Sequence, residues 1–182
     1  MTGNKTGAVE SVKLFTGLIF GEFESYHSTL EELERKFGPI QFESETFEFD
    51  HTDYYEKEMG PKLKRGFVAF TRSVSPEQIK EAKLATARME KKSADSSGRR
   101  RINIDPGTVG LANMVLASTK DFAHRIYLGE GIFAEVSMLY RDRSFRPLPW
   151  TYPDYQRLEV VEFFLRIRES LKEEIIALRG KN

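Results

Sequence analysis

Residues 12–20 read VKLFTGLIF, an apolar run interrupted only by Lys13 and the small pair Thr16-Gly17. The run is short enough for a strand, and its apolar character marks it as the buried first strand of the chain. A helix follows. Ser28 with Glu31 fits a capping box, Leu30, Leu33 and Phe37 share one face, and Gly38-Pro39 ends it. Residues 40–49 are strand-like, with a change of apolar phase between Phe42 and Phe47 that suggests a bulge. A polar loop spans residues 50–64, and residues 67–71 form another strand.

Ser75-Pro76-Glu77-Gln78 is a helix start, with Ser as N-cap, Pro at the first helical position and Gln closing the box. Ile79, Ala82, Ala85 and Met89 line that helix's apolar face. Residues 91–101, KKSADSSGRRR, read as a solvated, mobile loop. Residues 101–104 are a short strand that Asp105-Pro106-Gly107 ends as a turn. The order to this point is strand, helix, strand, strand, helix, strand. It predicts an α+β chain with a ferredoxin-like βαββαβ core.

Beyond that core the apolar stretch 109–116 fits helix or strand equally. Residues 123–128 and 132–140 form an antiparallel hairpin around Gly129-Glu130-Gly131. Phe145 opens a further short strand, and residues 147–153 are a Pro- and aromatic-rich crossing. A long C-terminal helix starts at Asp154 and runs to Arg179, with Val160, Phe164, Ile167, Leu171 and Leu178 as its stripe. Residues 1–10 read as a disordered leader and residues 11–182 as one domain.

One register follows from the side-chain period of two. A three-residue turn pairs Leu128 with Ile132 and Ile126 with Ala134; a two-residue turn would place Glu135 on the face of Ile126 and Leu128. The three-residue turn keeps the apolar face intact. It sets Arg125 opposite Glu135, beside Tyr127 and Phe133, and puts His124 on the apolar side facing Val136.

Composition narrows the function classes. The chain has 28 Lys+Arg and 28 Asp+Glu, a formal net charge of zero, which counts against a general nucleic-acid binder. It has no Cys, which rules out disulfides, thiolate metal sites and a Cys nucleophile. No stretch approaches the ~20 apolar residues of a membrane span. A cytoplasmic location is the expectation. No phosphate-cradling GxxxxGK[ST], HExxH or GxSxG motif occurs. The sequence therefore assigns no catalytic residue and no cofactor.

Two segments concentrate polar chemistry. Asp50, His51, Asp53 and Tyr54 lie just past a strand end. They suit a small polar ligand, or a solvated turn in which Asp plays its ordinary part; a metal would need ligands from further elements, and none is assigned. Lys120, His124, Arg125, Tyr127 and Glu135 form the second group. Arg125 and Glu135 read as a cross-strand ion pair of ~0.2–1 kcal/mol, or as an anion holder oriented by the carboxylate. His124 reads as a core histidine or as a proton donor near Lys120. Arg141, Arg143 and Arg146 with Phe145, Trp150 and Tyr152 mix cations and rings, although a lone Trp between prolines also suits a lid over the core. A cleft with Asp50, His51, Asp53 and Tyr54 on one side and Lys120, Arg125 and Tyr127 on the other is the expected ligand site.

The runs VKLFTGLIF, FGPIQFESETFEFDHTDYYEKEMG, VLASTKDFAHRIYLGEGIFAEVSMLYR and PLPWTYPDY resemble the prokaryotic family designated domain of unknown function 4416, over nearly the whole chain. The resemblance implies a small bacterial or archaeal cytoplasmic protein and carries over no catalytic role. Some members bear the label of GTP-binding regulators, but this sequence has neither a P-loop nor a guanine-reading NKxD. Three readings result: a binding or enzymatic domain for a small phosphorylated or nucleotide-like anion; an interaction or homodimerisation module; and an RNA-associated protein, which the neutral charge disfavours.

Overall fold

The computed structural model describes residues 9–180. The leader expected over residues 1–10 thus lies outside the described residues except for Val9 and Glu10. Strand β1 (Val12–Phe20) is the axis of the fold, and all nine of its residues are buried. It is antiparallel to β4 (Lys64–Val74) on one side and to β5 (Ile102–Val109) on the other. Beyond β4 lie β2 (Ile40–Glu43) and β3 (Phe47–Glu48). Beyond β5 come β6 (Asn113–Ser118), β8 (Ile132–Arg141) and β7 (Ile126–Gly129), and β9 (Ser144–Pro147) also pairs with β8. Among the described residues the result is a nine-stranded sheet in the order β2-β4-β1-β5-β6-β8-β7, with β3 on β4 and β9 on β8. This mixed α/β architecture has a larger antiparallel sheet than the expected core.

The two faces of β1 bury different helices. Leu14, Leu18 and Phe20 point to the side of α1 (Phe23–Phe37) and α3 (Gln78–Lys92), where Tyr26, Leu33, Ala82 and Met89 close over Val68, Phe70, Ile102 and Ile104. Phe15 points the other way. There α4 (Leu158–Arg179) lays Val160, Phe163, Phe164 and Ile167 on Phe67, Ala69, Val109, Met114 and Met138.

Several local expectations are corrected. Helix α1 begins at Phe23, so Ser28 lies inside it, and its Oγ bonds back to Ser25 O at 3.1 Å instead of capping. The expected bulged strand over residues 40–49 is two strands, β2 and β3, because residues 44–46 leave the ladder. The polar loop contains a short helix, α2 (Glu56–Met59). Half of the second capping box forms: Gln78 Oε1 accepts from Ser75 N at 3.0 Å, with α3 starting at Gln78. The segment after α3 is exposed but organised, since the Asp95 carboxylate accepts from Ser97 N, Ser97 Oγ, Arg99 N and Arg99 Nε. A 3-10 turn, Pro153–Gln156, precedes α4, which starts at Leu158 and not at Asp154. Leu178 of the expected stripe is 57% exposed, while Phe163 is buried.

The most consequential correction concerns Asp105-Pro106-Gly107. These residues do not turn; they run through the middle of β5, paired with β1. Gly107 serves close approach, because a Cβ there would stand 2.6 Å from Val115 O across the β5–β6 pair. Pro106 marks the point where that pair ends. Only residues 107–109 meet β6, and a residue without an N–H cannot extend a ladder toward a new partner. From there β5 and β6 diverge.

The C-terminal half of α4 is held to the sheet by a buried lysine. Lys13 Nζ donates to Thr71 O at 2.5 Å and to Glu174 Oε2 at 2.7 Å, and Ser73 Oγ donates to the same carboxylate oxygen. Partial burial tends to raise the Glu174 carboxyl, but the bonds from Lys13 and Ser73 win and hold it below its usual range. A carboxylate depressed in the fold contributes stability above its unfolded-state pKa and loses it as pH falls through the folded value. Amide exchange in residues 168–179 should therefore accelerate relative to residues 158–167 as pH drops below about 4 after correction for intrinsic rates, and Glu174→Gln should abolish that difference. Equal acceleration in both halves would speak against the clasp.

Candidate functional site

Where β5 and β6 separate, a cavity of about 160 Å³ opens between the strands. Its β5 wall carries Asn103 and Asp105, and its β6 wall carries Leu116, Ala117 and Ser118. From below, α3 supplies Lys83 and Glu90, which treat the exposed β5 edge as a partner strand would. Lys83 Nζ donates to Ile104 O at 2.9 Å, and Glu90 Oε1 accepts from Ile104 N at 2.5 Å.

The deepest element of the site is Arg65. Its side chain is 1% exposed, and alternation along β4 places it on the same face as Phe67 and Ala69. That face has room because β1 offers Gly17 there; a Cβ on Gly17 would stand 2.7 Å from Arg65 Nη2 and 3.0 Å from Phe67 Cε1. The guanidinium lies 4.7 Å from the Phe67 ring centre and 5.0 Å from that of Tyr155. Its Nη2 donates to Tyr155 Oη at 2.7 Å, and its Nη1 donates to Asp105 Oδ2 at 3.4 Å. Arg65 Nε stands 2.9 Å from Asp154 Oδ2, but its N–H is not aimed at that oxygen, so this contact is an ion pair without a hydrogen bond. Burial works against the Arg65 charge, and Tyr155, Asp154 and Asp105 more than offset it. Burial pushes the Tyr155 hydroxyl well up, so it stays a neutral phenol.

Asp105 joins this buried group to the cavity. Burial would raise its carboxyl, but the Lys83 ammonium and the Arg65 guanidinium, with hydrogen bonds from Arg65 and Asn103, hold it below its usual range. Although deep, its side chain keeps 29% of its surface accessible, because it faces the cavity. Asn103 Nδ2 donates to Asp105 Oδ2 at 2.8 Å, and Asn103 Oδ1 accepts from Arg100 Nη1 at 3.1 Å. Arg100 in turn grips Glu58 with Nε at 2.8 Å and Nη2 at 2.6 Å. Burial drives the Glu90 carboxyl up more than Lys83 and the Ile104 N–H bring it down.

Three members of the expected second group, Lys120, Arg125 and Glu135, form the outer wall. Ile126 pairs with Ala134 and Tyr127 with Phe133 as the alternation argument requires, while the hairpin's end pairs Gly129, not Leu128, with Ile132. Arg125 Nε meets Glu135 Oε2 at 2.6 Å. The pair is not a surface one: the two side chains are 6% and 2% exposed. Arg125 also donates to Ser118 Oγ, Lys120 O and Tyr152 Oη. His124 is not a core residue facing Val136. Its Nε2 lies 2.9 Å from Glu135 Oε2, and its ring stacks on Trp150 at 4.7 Å. Trp150 Nε1 donates to Val136 O, so the indole covers the edge of β8 between β7 and β9.

The two segments expected to face each other do meet. Lys120 Nζ sits 4.2 Å from the centre of the Tyr54 ring, bridging the mouth. Tyr54, Lys120, Arg125 and Glu135 line the cavity; Asp50, His51, Asp53, His124 and Tyr127 do not. His51 approaches Asp50 at 3.7 Å and packs edge-on to Phe49, a cavity residue. Tyr127 is 60% exposed and packs on Phe133. Among the described residues no group of three or more His, Asp or Glu is arranged to hold a metal.

The residues missed by sequence reading are the interior ones: Arg65, Lys83, Glu90, Asn103, Asp105, Asp154 and Tyr155. A signal existed for Arg65. Extending the strand at 67–71 back by two residues puts Arg65 on the face of Phe67 and Ala69, an arginine on an apolar side. Replacing Gly17 by Ala should cost about 1–3 kcal/mol by overpacking, read as a lower urea midpoint, because the guanidinium it strikes is pinned and cannot swing away. An unchanged midpoint would show that the Arg65 cradle is loose.

No curated protein and no solved structure matches the chain. The model of the family described as Domain of unknown function (DUF4416) matches residues 10–171 of the 182, and the chain belongs to that family.

Proposed function

We propose that the chain binds a small anionic ligand, phosphorylated or nucleotide-like, in the cavity between β5 and β6. The observation that carries this reading is the position of Lys120. Each other cation of the lining has a carboxylate within ion-pair reach: Arg65 has Asp154, Lys83 has Asp105, Arg100 has Glu58 and Arg125 has Glu135. Lys120 has none within 4 Å among the described residues, and it rests on an aromatic face at the mouth. A cation held at the rim of a partly enclosed, low-dielectric site attracts an anion more strongly than a solvated lysine does. Arg125 anchors the backbone of the lysine through Lys120 O while keeping its bond to Glu135.

The polar cavity also leaves room for catalysis, with Glu90 as an acid that burial has raised. We further read β2-β4-β1-β5, with α1 and α3 on one face, as a ferredoxin-like unit, to which β6–β9 are added as the second wall. A cytoplasmic setting accords with the cysteine-free sequence. No helix among the described residues is long and apolar enough to cross a membrane.

A second reading, as a surface for another protein or a second copy, draws on Phe122, Ile126 and Tyr127. They are 64%, 70% and 60% exposed, Phe122 just before the terminal strand β7 and Ile126 and Tyr127 within it. RNA association gains no support from a cavity of about 160 Å³ and a neutral chain.

Thermal unfolding at constant ionic strength tests the anion reading. Inorganic phosphate and pyrophosphate should raise the melting temperature saturably, as expected for a ligand that binds only the native state. Lys120→Ala should weaken the response at least tenfold, and Asp53→Ala should leave it unchanged. An identical response in Lys120→Ala would remove the proposal's basis.

A further inference from the structure

The inner end of the same cavity constrains the rest of the ligand. Asp105 is the only accessible carboxylate on the β5 wall. Its Oδ2 accepts from Asn103 at 2.8 Å and from Arg65 at 3.4 Å, whereas its Oδ1 has only the Lys83 ammonium at 3.6 Å. An ionised carboxylate oxygen offers about two lone-pair sites. Oδ1 therefore has acceptor capacity left over, on a side chain that lines the cavity and keeps part of its surface accessible. Two cations already flank Asp105, so a third cation there would be repelled by them and an anion by the carboxylate itself. The matching group is a neutral hydrogen-bond donor.

The remaining lining favours the same chemistry. Thr52, Ser118, Thr119, Tyr55 and Tyr152 bring hydroxyls, which donate and accept in turn. The tyrosine rings add apolar faces suited to C–H groups. The volume, about 160 Å³, is close to the roughly 150 Å³ cavity that holds one six-membered ring.

Resting on the anion reading above, we propose that the ligand is a phosphorylated polyol of about one ring, a sugar phosphate, with its phosphate at Lys120 and a hydroxyl donating to Asp105. The phosphate stays at the mouth, where the unpaired ammonium is and where the charge keeps part of its hydration. The hydroxyls go inward, where an unpaired donor or acceptor would otherwise be left without a partner.

Calorimetric titration of the full chain with three compounds decides the matter: ribose 5-phosphate, propyl phosphate and ribose. Ribose 5-phosphate should bind at least tenfold tighter than either of the others. Asp105→Asn should erase its advantage over propyl phosphate, and Lys120→Ala should weaken both phosphates together. Equal affinity for ribose 5-phosphate and propyl phosphate overturns the polyol assignment and leaves the anion reading standing. Equal affinity for ribose and ribose 5-phosphate overturns the place given to the phosphate, and the anion reading with it. Absence of saturable ribose 5-phosphate binding overturns the assignment outright. Should Asp105→Asn fail to fold, the three affinities of the wild-type chain suffice to decide between these outcomes.

Discussion

Arg65 carries its charge against the central strand with 1% of its side chain exposed, and much of the surrounding structure serves to keep it there. A guanidinium in such a place must be paired and hydrogen-bonded, because an isolated buried charge costs several kcal/mol even after relaxation. Four separate elements answer that demand. β1 contributes the empty space over Gly17, β4 the Phe67 ring, β5 Asp105, and the turn before α4 Asp154 and Tyr155. The 3-10 turn is thus more than a connector. It lowers a carboxylate and a phenol onto the arginine and fixes the entry angle of α4, whose Phe163 and Phe164 then meet Phe67. Packing on that face and the charge network beneath it are one arrangement.

The cavity depends on a second constraint, the early end of the β5–β6 ladder. A continuous ladder would bring β6 alongside β5 at Asp105 and close the gap between the strands. Pro106 ends the pairing, and α3 then takes over the freed backbone groups of Ile104 through Lys83 and Glu90. The same two side chains supply the cavity's inner charges. The sheet's defect and the site's chemistry thus share a cause, and the residues that repair one create the other. Polar groups in such a network are either satisfied or costly, and here nearly all are satisfied before any ligand arrives. The exceptions among the described residues of the network are Arg65 Nε, which has an ion pair but no hydrogen bond, the Asp105 oxygen with spare capacity and the Lys120 ammonium at the mouth.

The outer half of this arrangement is legible in the sequence. Alternation sets Ile126 opposite Ala134 and therefore Arg125 opposite Glu135, although Ile126 itself is 70% exposed on a terminal strand. The order of the main strands and helices through Ile104 is legible too. The sheet's growth to nine strands is not, because the apolar stretch 109–116 has no decisive period and hides β6. The inner half is hidden for local reasons. Asp-Pro-Gly is strong turn chemistry, and only pairing with β1 keeps it extended, a tertiary override that propensity does not reveal. Asp154 resembles a helix cap and is an ion-pair partner instead. Lys64-Arg65-Gly66 resembles the charged end of a loop, since a buried arginine carries no signature until the carboxylates that offset its charge are located. His51 and Asp53, the most reactive-looking residues in the chain, stand outside the cavity.

Arg65, Asp105 and Asp154 act as one buried unit, and a double-mutant cycle between positions 65 and 154 tests this most directly. Arg65→Met should cost about 3–5 kcal/mol in urea unfolding, since it leaves the buried Asp154 carboxylate without its cation and strips Asp105 of one of its two. Asp154→Leu should also destabilise. The double variant should lose clearly less than the sum of the two, with a coupling of roughly 1–3 kcal/mol as measured for residues within one network. Strict additivity within error would contradict the account, and the arginine would then be an isolated buried charge whose neighbours play no part in keeping it.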